Sequence, residues 1–171
     1  MHPFYATWMQ EAFDASGVPK RTLAIDEATD LRARVEETFA SGRRVSHGFA
    51  ESVTATGVVF PCDHNSWRQL SHVVGEQSCV IFFDRDDLTE MFAFSNGAEL
   101  ESFLNEGVHF EFFVVSQDCG FLLTLTEDAL GGYGTALEPV ARLARQWLKA
   151  HGADGVLSVD NRDHTDHGHA E

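Results

Sequence analysis

The sequence predicts an α/β protein, α+β in arrangement, with one mixed or largely antiparallel sheet of four to six strands. Helices cover the sheet and a disordered C-terminal tail follows it. Three observations carry this expectation. Four short runs rich in Phe, Val, Ile and Leu lie between Cys79 and Gly134: CVIFFD (Cys79 to Asp84), EMFAF (Glu90 to Phe94), HFEFFVV (His109 to Val115) and FLLTLT (Phe121 to Thr126). Each is bounded by Asp, Gly, Asn or Ser, which is how strands read. The flanking segments repeat apolar residues at three and four, the helical period. From Asp160 the chain reads DNRDHTDHGHAE, with no large apolar residue to anchor it. The expected organisation is one domain over residues 1–159 and an acidic, His-containing tail over 160–171.

In chain order, Phe4 to Ser16 reads as a helix. Phe4, Trp8 and Ala12 repeat at four beside Tyr5, Met9 and Phe13, Pro3 suits the first turn and Gly17 the stop. After a connector with a short strand at Thr22 to Ile25, Asp26 offers a cap for a second helix to Ala40, with Ala28, Leu31, Val35 and Phe39 as its stripe. Gly57 to Phe60 reads as a strand stopped by Pro61. Asp63 or Asn65 then caps a helix carrying Trp67, Leu70 and Val74, ending at Gly75.

CVIFFD is apolar on both alternating faces, the mark of an interior strand covered on each side. It turns back into EMFAF. Asn96 caps Ala98 to Asn105, with Leu100, Phe103 and Leu104 as the buried face. Gln117 to Gly120 is a four-residue turn joining HFEFFVV to FLLTLT as a hairpin. Gly131, Gly132 and Gly134 read as a flexible joint before a last helix, Leu137 to His151, with Pro139 in its first turn. Gly155 to Val159 offers one further edge strand.

The bulk composition narrows the function classes. A content of 43% hydrophobic residues, 14 of the chain's residues being Phe, is that of a folded protein. No apolar run approaches the roughly 20 residues of a membrane span. The opening MHPFYATWMQEAFD lacks the basic region and apolar core of a secretion signal. With three Cys (Cys62, Cys79, Cys119), two in or beside apolar strands, the expected setting is reducing and cytoplasmic. Twelve basic against 27 acidic residues give a net charge of −15. Nucleic-acid phosphates and anionic lipid would repel such a surface, while a basic protein would be drawn to it.

That charge is concentrated. Between Cys79 and Gly134 eleven acidic residues face only Arg85, a net of −10. Asp84, Asp86, Asp87 and Glu90 cluster at one turn, and if CVIFFD and HFEFFVV are neighbours they are expected to pool with Asp118 in a docking patch. Asp residues also belong in turns for backbone reasons alone. An alternative site is a pocket bounded by His109 and Glu111, about 7 Å apart on one strand face, and the Gly131 to Gly134 joint. Such a pocket would serve a small-molecule binder or a minor hydrolase. Cys62-Asp63-His64 has the residue types of nucleophilic catalysis, but immediate neighbours do not face one another, and Asp63 is explained as a cap. His164, His167 and His169 can chelate a metal loosely but lack the thiolates of structural zinc. Gly131-Gly132-Tyr133-Gly134 has the spacing of neither a P-loop nor a dinucleotide fingerprint. No cofactor and no metal is expected.

The order Asp26-Glu27, Trp67-Arg68-Gln69-Leu70, CVIFFDRDD, EMFAF and LESFLNEGVHFEFFVVSQDCGFLLTLTEDALGGYG resembles a family of small, uncharacterised bacterial α/β proteins. In that family a strand of the form FEFYV turns into one of the form YLLCFN and then a Gly-containing end. The overlap spans Ile25 to Gly134 and rests on hydrophobic pattern. Where the family often has polar residues after the last strand, this chain has Thr126, Glu127 and Asp128. Proteins of this kind look like immunity or accessory proteins of contact-dependent toxin systems. The resemblance implies an immunity or accessory role; with the acidic balance, the expectation is a non-enzymatic, cytoplasmic protein, monomeric or weakly dimeric, that neutralises a basic partner through the acidic surface.

Overall fold

Antiparallel pairing of Phe-rich strands organises the chain. The structure, a computed structural model, describes residues 3–42, 53–61, 66–83, 90–106, 111–126, 129–152 and 158–159. Its strands are β1 (Gly57–Pro61), β2 (Cys79–Phe82), β3 (Phe92–Phe94), β4 (Phe112–Ser116), β5 (Phe121–Leu125), β6 (Ala129–Gly134) and the two-residue β7 (Ser158–Val159). They form one sheet in the order β3-β2-β4-β5-β6-β1-β7, and every pairing is antiparallel. Six strands of three to six residues make the sheet and β7 extends its β1 edge, within the Gly155 to Val159 stretch read as an edge strand. The expected β2–β3 and β4–β5 hairpins are both present, and β2 and β4 are neighbours.

The helices are α1 (Pro3–Ser16), α2 (Ile25–Ala40), α3 (Leu70–Val74, entered through a 3-10 turn at Ser66–Gln69), α4 (Gly97–Leu104) and α5 (Leu137–His151). β2 and β4 are buried at every position, so the sheet has cover on both faces. One face packs Cys79, Ile81, Phe112, Val114, Phe121 and Leu123 against α1, α3, α4 and α5. Phe13 of α1 stands 4.5 Å from the Phe103 ring and 5.3 Å from Phe92, which fastens that helix to α4 and β3. The other face packs Val80, Phe82, Phe113, Val115 and Leu122 against Leu31, Val35 and Phe39 of α2. Burying Phe side chains on both faces contributes roughly 2–3 kcal/mol each.

Local signals place the helix ends. Asn96 caps α4 by accepting the Glu99 N–H at 3.0 Å. α2 starts one residue before Asp26; its N-cap is Ala24, whose N–H is held by the Glu27 carboxylate at 3.0 Å. Ser41 and Gly42 end that helix with positive φ. The side chains of residues 3–6, and with them Phe4 and Tyr5 of the predicted stripe, lie outside the described part.

The predicted Gly131 to Gly134 joint is instead β6, buried between β5 and β1. Its glycines are there for close approach rather than flexibility. A Cβ on Gly131 would meet the Thr124 hydroxyl, and one on Gly132 would meet Val140 of α5. Tyr133 lies over its cross-strand partner Gly57, where a Cβ would strike the ring.

The connector after α1 runs along the outer side of β3. Leu23 N–H donates to the Met91 carbonyl at 3.0 Å, and Ala93 N–H donates to the Arg21 carbonyl at 2.8 Å. Arg21 then reaches over to Glu99 of α4, giving 2.8 and 2.9 Å hydrogen bonds to its two oxygens.

Candidate functional site

The register sorts the sheet into two ends. Phe82 pairs with Phe113, Phe112 with Leu125, Leu125 with Leu130, and Ala129 with Pro61, so these residues stand at one end. Cys79 pairs with Ser116, Phe121 with Gly134, and Tyr133 with Gly57, which defines the other.

At the Phe82 end, the chain leaves at Phe83 and returns at Glu90, and it re-enters the sheet from α4 through Glu111. Glu90 is half-buried, while Glu106 and Glu111 are exposed. The side chain of none of the three has a hydrogen-bond or ion-pair partner among the described residues. The connections that join the strand ends here carry Asp84, Asp86, Asp87, Glu90, Glu106, Glu111, Glu127 and Asp128 against Arg85 alone. Asp84, Asp86, Asp87 and His109 themselves lie outside the described residues, as do Cys62-Asp63-His64 and the tail 160–171.

Asp118 stands at the opposite end of the sheet from Phe83. Its turn follows Ser116, at the Cys79 end, and the four residue steps from Cys79 to Phe83 alone separate the two ends by about 13 Å. The hydrophobic pattern gives which strands are neighbours but not which loops meet; antiparallel pairing sends the β2–β3 and β4–β5 turns to opposite ends. Asp118 is also occupied. The Ser116 hydroxyl donates to it at 2.6 Å and the Gly120 N–H at 3.0 Å, which holds its carboxyl below the usual range. Ser116 in turn accepts from the Gly120 and Phe121 N–H groups at 2.8 and 3.2 Å. This network fixes a turn in which Cys119 takes a left-handed conformation, φ 56°.

A second acid tied into the fold at this end is Glu99, whereas Glu76, just before Cys79, is exposed with no side-chain partner among the described residues. Hydrogen bonds from Arg21 and from the Ser95 N–H bring the Glu99 pKa down to about 2. Burial pushes the Cys79 thiol up to about 12, and the nearby Glu99 charge adds to the rise, so Cys79 is an inert core thiol. Among the described residues no group of three His, Cys, Asp or Glu side chains converges as a metal site. No helix there is long and apolar enough to cross a membrane.

The second expected site, between His109, Glu111 and a glycine joint, loses its third element because the glycines form β6, with β5 between it and β4. A cleft is present elsewhere. It is open, has a volume of about 500 Å³, and lies between α2, the Arg21–Leu23 connector and the β2–β3 hairpin. Leu23, Leu31, Val80 and Ala93 form its apolar walls; Arg21, Glu27, Asp30, Arg34 and Gln117 supply the polar ones. Sequence reasoning missed it because it needs the connector alongside β3, a long-range pairing. The only local trace is the spacing of Glu27, Asp30 and Arg34 along one flank of α2. Comparison with known families, curated proteins and solved structures finds no match to this chain.

Proposed function

We propose that the chain is a non-enzymatic binding protein of the immunity type, which captures a basic partner protein, such as a toxin, at the Phe82 end of its sheet. The observation that carries this reading is the contrast in how carboxylates are used. At the Cys79 end Glu99 and Asp118 are bound within the fold. At the Phe82 end the side chains of Glu90, Glu106 and Glu111 are left without partners among the described residues, beside connections whose sequence adds five more acids. Uncommitted like charges raise the potential there, speed encounter with a cation-rich surface and exclude acidic partners. The sequence resemblance to toxin-immunity proteins supports the same class of partner. A cytoplasmic site of action suits the thiols.

The test is capture from lysate at low salt, elution by rising ionic strength and identification of the eluted protein. A single basic protein binding one-to-one is expected. Glu90→Lys with Glu111→Lys, and separately Asp86→Lys with Asp87→Lys, should weaken the purified complex at least tenfold with the fold intact. Asp118→Asn should leave the affinity unchanged. Equal affinity in both charge-reversed pairs would overturn the assignment.

A further inference from the structure

We propose that the cleft beside α2 is a binding site for a small zwitterion of the amino-acid class that carries an apolar side chain. This rests on the cleft and not on the acidic end.

The argument starts from the charges lining the cleft and how each is used. Glu27 is engaged by the Ala24 N–H, and Arg21 gives both terminal nitrogens to Glu99. Two charges remain. Asp30 is exposed and has no partner among the described residues. Arg34 gives one hydrogen bond, at 3.0 Å, to the Gln117 carbonyl, and its charge also helps to hold the Asp118 carboxyl down. Asp30 and Arg34 stand four residues apart on α2, acid before base, the arrangement in which a helical ion pair forms most readily. They form no such pair, since Arg34 is turned across the cleft to Gln117. An anion and a planar cation on one wall, about 6 Å apart at their Cβ atoms, are therefore left facing the same space.

The same cleft is lined by Leu23, Leu31, Val80 and Ala93. A ligand that satisfies this wall brings a carboxylate to Arg34, whose fork matches it in two-point geometry. It brings an ammonium to Asp30 and an apolar group to the floor. An α-amino acid carries all three on one carbon. The volume, about 500 Å³, falls in the range of small-ligand sites. The open mouth means that part of such a ligand stays in water, so weak, fast-exchanging binding is expected.

The experiment is a titration of the isotopically labelled full chain with L-leucine, following the amide signals of Leu31, Val80, Ala93 and Gln117 by NMR. Saturable shifts at these four residues are expected, absent with 4-methylpentanoate, which lacks the ammonium, and with 3-methylbutylamine, which lacks the carboxylate. Asp30→Asn, an exposed change that touches no hydrogen bond, should abolish the saturable shifts. Arg34→Gln should do the same, and because Arg34 also holds the Gln117 carbonyl, Asp30→Asn is the deciding variant. No saturable shift with leucine, phenylalanine or methionine at millimolar concentration would overturn the proposal. So would undiminished binding in Asp30→Asn, which would reduce the cleft to a carboxylate site.

Discussion

The two ends of the sheet are built from the same kind of strand yet differ in their acids: two at the Cys79 end are tied into the fold, and three at the Phe82 end are not. At the Cys79 end, Glu99 is clasped by Arg21 and the Ser95 N–H, while Asp118 is held by Ser116 and Gly120. These carboxylates are structural: each satisfies backbone or side-chain donors that the fold would otherwise leave open. At the Phe82 end, the side chains of Glu90, Glu106 and Glu111 satisfy nothing within the described residues. An acidic residue's role is thus decided by what donates to it and not by its place in a charge count.

Substitutions sharpen this contrast, beginning with the strand common to both ends. Gly132→Val in β6 drives a side chain into Val140 and should cost about 3 kcal/mol, read as a lower midpoint in urea unfolding. Next comes the Cys79 end itself. Ser116→Ala removes a buried hydroxyl that serves Asp118 and two backbone N–H groups, with an expected loss of about 2 kcal/mol by the same measurement.

Glu99→Gln should cost about 1 kcal/mol near neutral pH, because the pair with Arg21 is partly solvated. Its pH dependence has a definite sign. The Glu99 pKa is depressed in the fold, from 4.5 to about 2, so its contribution is complete above 4.5 and fades as pH falls toward 2. Thermal melts across that window should show the native chain converging on the Glu99→Gln variant, and a constant gap would contradict the ion pair. The smallest effect belongs to the other end. Glu90→Gln, Glu106→Gln and Glu111→Gln should each stay within about 0.5 kcal/mol of the parent. A larger loss in any of them would identify a structural acid there and erase the contrast.

Much of the architecture is legible in the residues. The two-faced apolar pattern of CVIFFD, the Asn96 cap and the Gln117 to Gly120 turn depend on neighbours a few positions away. The failures have a common cause in contacts between distant parts of the chain. Gly131 to Gly134 imitates a hinge because the reason for its glycines lies in Thr124, Val140 and Gly57. That Asp118 and Phe83 stand at opposite ends is likewise not legible locally, because strand adjacency carries no statement about which end a turn occupies. The cleft is not legible in the sequence because Val80, Ala93 and Gln117 come beside α2 only through the long-range pairing of the sheet.

The hydrogen bonds from Arg21 and Leu23 to β3 have a consequence for how molecules of this protein meet one another. A sheet so rich in Phe would be a template for strand addition wherever its border lay bare. Along β3 the chain's own connector occupies two of those positions, and the Arg21–Glu99 pair fastens it down. The guard is not a separate capping element but the link between the first two helices. Loosening it exposes a sticky margin next to a dense core, so the lesion to expect from damage at Arg21 is self-association rather than simple unfolding.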